Sequence, residues 1–207
     1  MVFQHLYLDN SVLENYHIAE AFKAANTKKN NIFQNLSPEE FRLVRKSVID
    51  CVLYTDITHH AKNVSHLKSL LKFNDVAMGS NLNNLFAGDN ISKNFENQRF
   101  ILGMVLHASD ISNACKPTHL QKMWVDLLMV ELFNQGDIEK ENNLPVSILC
   151  DREKVNINKS QIGFINFIVL PTFETLLNIV PEIEPYVIAG KTNLSRYENV
   201  IKEANNK

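Results

Sequence analysis

The stretch ILGMVLHASDISNACKPTHLQKMWVDLLMVELFNQGDIE, residues 101–139, decides the fold of this chain. An apolar run breaks into the polar segment HASDISN (107–113), a proline follows, and a strongly apolar segment then carries Trp124. This pattern predicts one helix that ends near Asp110 and a second helix that faces it. We expect the carboxylate of Asp110 to be buried there. A buried carboxylate is costly unless it is paired, hydrogen-bonded or bound to a metal.

Two interpretations of Asp110 follow from these residues alone. An Asp near a helix end, followed by Ser and Asn, is the usual pattern of a cap. Metal ligation is the other interpretation, although no second ligand of diagnostic spacing accompanies Asp110. His107 stands three residues earlier, a spacing that permits chelation from one helix. A structural histidine with a satisfied hydrogen bond is the commoner outcome for a buried polar group.

Helical periodicity dominates wherever the chain is apolar, and only 6 Gly and 6 Pro interrupt it. The segments SVLE (11–14) and SPEE (37–40) both match the capping box, in which a Ser and a Glu three residues later bond each other's backbone. We therefore predict an all-α fold, with residues 1–207 in a single domain. A surface loop is expected over the Asn-rich residues 74–98, and a second irregular stretch over 135–159.

The second predicted helix carries one apolar stripe that is expected to be buried, made of Phe41, Val44, Val48 and Val52. Extending this stripe by three residues reaches Thr55, with Asp56 beside it. Polar side chains thus fall where the pattern predicts core. A helix end that turns toward water explains the same observation equally well. Near the C-terminus, Pro171 separates two further predicted helices, 160–170 and 172–179.

Bulk properties exclude several classes of protein. The net charge of −2 gives no basic field for nucleic acid. No apolar run approaches the ~20 residues of a membrane span, and the first residues show no signal-peptide pattern. The cysteines Cys51, Cys115 and Cys150 form no C-x-x-C and are odd in number. They indicate reduced thiols, which predicts a cytoplasmic protein.

The segment QIGF (161–164) places Gln161 and Phe164 at i and i+3, on one helix face. A purine base stacks on an aromatic plane and needs a hydrogen-bonding partner for its edge. A carboxamide offers both a donor and an acceptor, so it pairs with adenine or guanine depending on its orientation. A Phe at a helical position is, equally, ordinary core. Gly163 fits a point where another surface comes close.

The motifs LHASDISN, KP, W and ELFNQGDIE, followed by SQIGFINFIV, closely resemble the class I cyclic nucleotide phosphodiesterases. The resemblance implies an all-α catalytic domain that hydrolyses cAMP, cGMP or both to the 5′-monophosphate. It implies that Asp110 is a direct ligand of the catalytic metal, that Gln161 bonds the base and that Phe164 clamps it. Further positions that match the nucleotide pocket are Ile111, Asn113, Leu128 and Leu149.

Two more segments are similar to family motifs near the metals. SVLENYH (11–17) resembles S-V-L-E-N-H-H, whose glutamate hydrogen-bonds waters on the second metal, and this role falls to Glu14. VLYTD (52–56) resembles a helix end whose threonine, here Thr55, faces metal-bound water. The chain departs from the family at Tyr16, where the motif has His, and at Ile148, where it usually has Pro.

The resemblance implies two divalent metals, Zn together with Mg or Mn. The family holds them with two histidines, a His-Asp dipeptide and the aspartate that matches Asp110, and its general acid is a histidine of an H-N-x-x-H motif. This chain contains neither H-N-x-x-H nor His-Asp. We therefore expect the C-terminal part of the catalytic domain, with no catalytic histidine and no activity by itself. Apolar surface should be uncovered around Val52 and Leu102.

Three hypotheses about function remain open. The first is a cyclic nucleotide phosphodiesterase, in which the amide of Gln161 serves cAMP and cGMP alike. The second is a catalytically inactive helical module that acts by interaction or regulation, for instance in a homo-oligomer. The third is a broader metal-dependent phosphohydrolase, which the missing His-Asp disfavours. The expected partner is a cyclic nucleotide, with no nucleic acid and no membrane segment.

Overall fold

The computed structural model of the chain describes residues 8–77, 85 and 91–206. These residues form helices and no strand, which confirms the all-α prediction. Their α-helices are α1 (Val12–Ala25), α2 (Pro38–Leu53), α3 (His60–Phe73), α4 (Ile91–Asp110), α5 (Thr118–Glu141), α6 (Ile157–Phe164), α7 (Leu170–Leu176) and α8 (Glu184–Asn205). Short 3₁₀-helices lie at Ile57–His59, Ser112–Cys115 and Pro181–Ile183, and a π-helix, Ile165–Val169, joins α6 to α7.

Contacts within the chain define two compact units, Met1–Asp110 and Ile111–Lys207. In the first unit, α2 packs against both α1 and α4. Helix α3 contacts α4 through the rings of His66 and Phe100, whose centroids are 4.5 Å apart. Leu67 and Met104 are completely buried in this core. That all of residues 1–207 form one catalytic domain stays a prediction.

The two predicted capping boxes have different outcomes. At the start of α2, the Ser37 hydroxyl accepts from the Glu40 amide at 3.3 Å, and the Glu40 carboxylate accepts from the Ser37 amide at 2.8 Å. That prediction is confirmed. At the start of α1, Ser11 makes no cap bond and has a left-handed backbone, with φ of 44°. The prediction there is wrong because this backbone does not have the extended geometry of an N-cap, and the Ser11 side chain is directed to Asp56, to which its hydroxyl donates at 2.7 Å.

The predicted loops are shorter than expected. Helix α4 begins at Ile91, so the end of the stretch 74–98 is helical, while residues 78–84 and 86–90 lie outside the described ranges. Tertiary contacts outweigh the weak helical pattern here, since Arg99 lies over the Phe95 ring and 3.4 Å from a carboxylate oxygen of Asp50. Helix α5 likewise continues to Glu141, well past the predicted end of regular structure.

Helix α8 is the centre of the second unit. It packs against α5, α6, α7 and the 3₁₀ turn Ser112–Cys115. The predicted break at Pro171 does not occur. Pro171 has no N–H to donate to Phe167, and the π-helix that precedes it carries the chain from α6 into α7 without interruption.

An apolar groove of about 620 Å³ runs between α2 and α4 in the first unit. Its lining includes Leu43, Val44, Val48, Val52, Leu102 and Leu106. The stripe predicted to be buried is therefore only partly covered, and Leu102 is 56% exposed. Apolar surface was expected around Val52 and Leu102, and the groove lies there. Across the described helices, none is long and apolar enough to cross a membrane.

Candidate functional site

Asp56 ties the start of α1 to the segment that follows α2. One oxygen accepts from Ser11, and the other accepts from the Thr58 amide at 2.8 Å and the Thr58 hydroxyl at 2.7 Å. Burial by itself raises the pKa of Asp56, but these hydrogen bonds outweigh it and hold the pKa below the usual value. The bond from Ser11 to Asp56 holds the start of α1 against the end of α2. Glu14 is three residues after Ser11 and Thr55 directly precedes Asp56, so this bond helps to position both.

The three residues predicted to lie near the metals, Glu14, Thr55 and Asp110, all belong to the first unit, and their environments differ. Glu14 is half-buried and makes no hydrogen bond or ion pair with a described residue. Thr55 is half-buried, and its hydroxyl donates to the Val52 carbonyl at 2.8 Å. Asp110 is the last residue of α4 and is exposed, so the expectation of a buried carboxylate is wrong. The buried face of α4 passes through Met104 and His107, and Asp110 lies beside that face.

A buried histidine pair lies next to these residues. His107 is completely buried, and its Nε2 is 2.9 Å from Nδ1 of His60. Burial lowers the pKa of His107, and the neighbouring His60 lowers it further. Its Nδ1 makes no well-aligned hydrogen bond, although the Asp110 carboxylate and the Thr55 backbone favour the protonated form. His107 thus has a partner for Nε2 but none among the described residues for Nδ1, and its role as a structural histidine stays a prediction.

Acidification should destabilise the folded chain through His107. Its pKa is lowered in the folded state, so between that value and the ordinary 6.5 the unfolded chain binds more protons. The contribution to stability is complete above about pH 6.5 and is lost as the pH falls through the folded pKa. Urea unfolding near pH 7 and near pH 5 should show a steeper loss for the wild type than for His107→Gln. The exposed His119→Gln is the control, and equal pH dependence of wild type and His107→Gln would contradict the prediction.

The described side chains do not by themselves make up the implied metal site. Among residues 8–77, 85 and 91–206, no three His, Cys, Asp or Glu side chains come together as a group that holds a metal ion. A catalytic zinc takes about three protein ligands and keeps one position open. Asp110 supplies one carboxylate at an exposed helix end. The fit is therefore partial, with one candidate ligand and two candidate water-binding residues.

The predicted base-binding pair lies on α6 in the second unit. Gln161 is 6% exposed, and its amide makes no hydrogen bond with any described residue. Phe164 is half-buried. A Cβ built on Gly163 meets no atom within 4 Å, so the expected close approach of another surface is not found among the described residues. A nearly buried amide with free donors and a free acceptor, on the helix face that also carries Phe164, is suited to binding a ligand.

The 3₁₀ turn Ser112–Cys115 carries a second free polar group. The side-chain carbonyl oxygen of Asn113 is buried and has no hydrogen-bond partner in the described structure. Ile111, just before the turn, is 8% exposed and contributes to the core. The turn packs against α8 and the π-helix. Buried amide oxygens are seldom left unpaired, so Asn113 is a candidate for contact with a bound molecule.

The remaining predicted pocket residues, Leu128 and Leu149, are partly exposed. Leu128 lies on α5, which packs against the 3₁₀ turn and α8. Leu149 has a left-handed backbone, with φ of 69°. The elements that carry Asn113, Gln161 and Leu128 thus all pack on α8. That their side chains and Asp110 reach one common cleft stays a prediction.

Sequence reasoning missed the contacts that hold the loop carrying Leu149. Glu139 accepts from the amide and the hydroxyl of Ser147, each at 2.7 Å. Lys140 donates to Asp151 at 2.9 Å, and this bond lowers the pKa of Asp151 to about 2. Arg152 pairs with Asp137 on the same end of α5. The run of charges after Gly136 was the available signal, but a charge run is usually a solvated face.

Comparisons with known proteins agree with the sequence resemblance. The sequence profile of the 3′5′-cyclic nucleotide phosphodiesterase family matches residues 3–189. The chain is 38% identical over 197 residues to the 3′,5′-cyclic-AMP phosphodiesterase, isoform F, of Drosophila melanogaster, covering 95% of this chain and 28% of that protein. A second Drosophila melanogaster relative, a 3′,5′-cyclic-AMP phosphodiesterase, is also 38% identical over 197 residues, 95% of this chain and 18% of the relative.

A solved structure gives the same result. The phosphodiesterase domain of the RhoPDE fusion protein from the choanoflagellate Salpingoeca rosetta superposes with a TM-score of 0.85 at 28% sequence identity. The similarity covers 99% of this chain and 61% of that chain. The chain therefore spans less than a third of the length of the two Drosophila relatives, and under two thirds of the choanoflagellate domain.

Proposed function

This chain belongs to the 3′5′-cyclic nucleotide phosphodiesterase family, and from that premise we propose that it takes part in the hydrolysis of a 3′,5′-cyclic nucleotide. The substrate is cAMP, cGMP or both. Water adds to the phosphorus, the bond to the 3′ oxygen breaks, and that oxygen takes up a proton to leave the 5′-monophosphate. We propose the cytoplasm as the location, supported by the free, buried thiols of Cys51, Cys115 and Cys150.

The observation that carries this proposal is the free amide of Gln161. It lies three residues from the half-buried ring of Phe164, on the same face of α6. In the proposed complex the Gln161 amide bonds the edge of the base, the Phe164 ring stacks on its face, and Asn113 offers its unpaired oxygen. Ile111, Leu128 and Leu149 complete the proposed pocket with apolar surface.

The family is metal-dependent, and we propose two divalent ions, Zn with Mg or Mn. When bound, such a pair positions the phosphate and activates water. Asp110 is the proposed ligand in this chain. Glu14 and Thr55 are proposed to hydrogen-bond metal-bound water, and Glu14 is available because the predicted capping bond with Ser11 does not form. No described residue is proposed as the general acid.

A catalytically inactive interaction or regulatory module is the alternative. The observation that favours it is the apolar groove between α2 and α4, with a volume of about 620 Å³. Uncovered apolar surface of this kind is suited to a helical partner, and a second copy of the chain is one such partner. Nucleotide binding separates the two functions, because a pure interaction module has no need of the Gln161 pocket.

Phe164→Ala should weaken binding of 5′-AMP to the chain by about tenfold, since stacking of a base on an aromatic ring contributes about 1–3 kcal/mol. The matched control is Phe167→Ala, one turn further along, where the ring is 76% exposed. Isothermal titration calorimetry with 5′-AMP and 5′-GMP measures the affinities of the wild type and of both variants. Absence of binding by the wild type, or equal weakening by the two variants, would count against the proposed pocket.

A further inference from the structure

Asn193 on α8 is 1% exposed, and all its side-chain bonds go to another part of the second unit. Its Nδ2 donates to the carbonyl of Ala114 at 2.9 Å and to that of Lys116 at 2.8 Å. Its Oδ1 accepts from the Thr118 hydroxyl at 2.8 Å. One buried amide therefore joins the last helix to the 3₁₀ turn Ser112–Cys115 and to the first residue of α5.

Asn193 bonds the carbonyl end of a turn that also packs against α5, α8 and the π-helix. At that end, the Lys116 amide donates to the Asn113 carbonyl at 3.3 Å. Carbonyls at a helix end have no partner within the helix, and Asn193 supplies one for two of them. Gly190 stands one turn before Asn193 and also faces this turn. A Cβ there would lie 3.4 Å from the sulfur of Cys115.

A second set of side-chain hydrogen bonds joins α5 to α8. Gln121 is completely buried on α5, and its Nε2 lies 2.9 Å from the hydroxyl of Tyr197 on α8. Its Oε1 accepts from Arg196 at 2.9 Å. Gln121 and Tyr197 each lie about one turn beyond Thr118 and Asn193. The contact between α5 and α8 is thus polar and directional, which sets the orientation of the turn more narrowly than apolar packing does.

Asn113 lies in this turn, directly before Ala114, and its side-chain oxygen is buried without a partner. The direction of that oxygen depends on the backbone of the turn, and Asn193 holds the backbone. We infer that Asn193 is a positioning residue for base recognition, which acts by fixing the turn that presents Asn113. The inference rests on the proposed function, because it takes the ligand of Asn113 to be the nucleotide base.

The test compares two Asn→Asp changes of equal size. Asn193→Asp replaces the donating amide with an oxygen that repels the carbonyls of Ala114 and Lys116. The control, Asn178→Asp, also removes two bonds to carbonyls, those of Glu174 at 3.2 Å and Thr175 at 3.1 Å, in helix α7, which ends just before it. Hydrogen exchange of the amides 112–118 should become about tenfold faster in Asn193→Asp and stay unchanged in the control.

A double-mutant cycle on 5′-AMP affinity separates positioning from loss of stability. Asn193→Asp and Asn113→Ala should each weaken binding by about tenfold, and the double variant should bind no worse than either, because both remove the same contact. Additive effects would overturn the inference, since a change in stability alone acts independently of Asn113. Unchanged exchange at 112–118 would overturn it whatever the affinities show.

Failure of the proposed function gives a different result. If the wild type binds no nucleotide, the pocket assignment falls and with it the role in base recognition, while faster exchange in Asn193→Asp still establishes the anchor of the turn. If Asn193→Asp does not fold, hydrogen exchange at 112–118 and 5′-AMP affinity are measured on Thr118→Val instead. It removes only the hydroxyl that orients the Asn193 amide, and about threefold effects are expected.

Discussion

Gly136→Ala should cost the chain more than about 3 kcal/mol of folding free energy and leave the second unit largely unfolded. A Cβ on Gly136 would overlap the backbone carbonyl oxygen of Cys150 and lie 2.7 Å from the carbonyl carbon. These are backbone atoms, so no rotamer change relieves the clash. Either α5 must bend or the loop around Cys150 must move away from it. Movement of the loop would break the two hydrogen bonds from Ser147 to Glu139. Thermal and urea unfolding measure the loss.

The matched control is Gly163→Ala, the same change in another helix of the second unit. Nothing lies within 4 Å of a Cβ at Gly163, and alanine is a better helix former than glycine by about 1 kcal/mol. This variant should therefore be as stable as the wild type or slightly more so. If Gly136→Ala were equally stable, the loop around Cys150 would not rest on α5 as described.

The 207 residues assayed alone should hydrolyse neither cAMP nor cGMP at a measurable rate, even with zinc and magnesium in excess. Asp110 is one carboxylate, a catalytic zinc needs about three protein ligands, and no H-N-x-x-H motif supplies a general acid. The assay is release of 5′-monophosphate by purified chain. Size-exclusion chromatography should accompany it, because the groove between α2 and α4 favours association.

Asp110→Ala is the control for this assay. Turnover by the wild type that disappears in Asp110→Ala would show that the chain completes its own metal site and that the proposed inventory of ligands is wrong. Turnover that persists in the variant would instead point to a contaminating enzyme. Binding of 5′-AMP without turnover is the expected combination, since the proposed base-binding residues all belong to the second unit and the described residues supply only part of the metal site.

Local patterns predicted the helices well and their long-range contacts poorly. The sequence SPEE at 37–40 forms its capping box, whereas SVLE at 11–14 does not, although both satisfy the same rule. The difference is Asp56, which lies 45 residues from Ser11 and takes its hydroxyl. Nothing within a few residues of Ser11 signals that partner, so the competition is invisible until the chain is folded.

In the candidate site, too, the sequence predicted the local structure but not the long-range contacts. Gln161 and Asp110 were found through motifs, and the pattern around Gln161 placed it correctly on a helix. Its nearly complete burial, without a hydrogen bond to any residue that the structure describes, is a property of the packed structure. Asn193 was not found, because an Asn in a polar C-terminal helix resembles a solvated residue. Its two acceptors are backbone carbonyls, which carry no sequence signal.

The π-helix Ile165–Val169 has a consequence for how this chain tolerates length changes during evolution. A π turn holds one residue more than an α turn, and one residue corresponds to about 100° of rotation in an α-helix. Deleting that one extra residue would restore regular α geometry with little rotation, whereas deleting two would rotate Gln161 and Phe164 relative to Thr172 and Phe173, which are buried in the core. The orientation of Gln161 and Phe164, the proposed base-binding pair, and the register of α7 are therefore coupled, so this segment should tolerate loss of its one extra residue but resist other insertions and deletions more than the loops do.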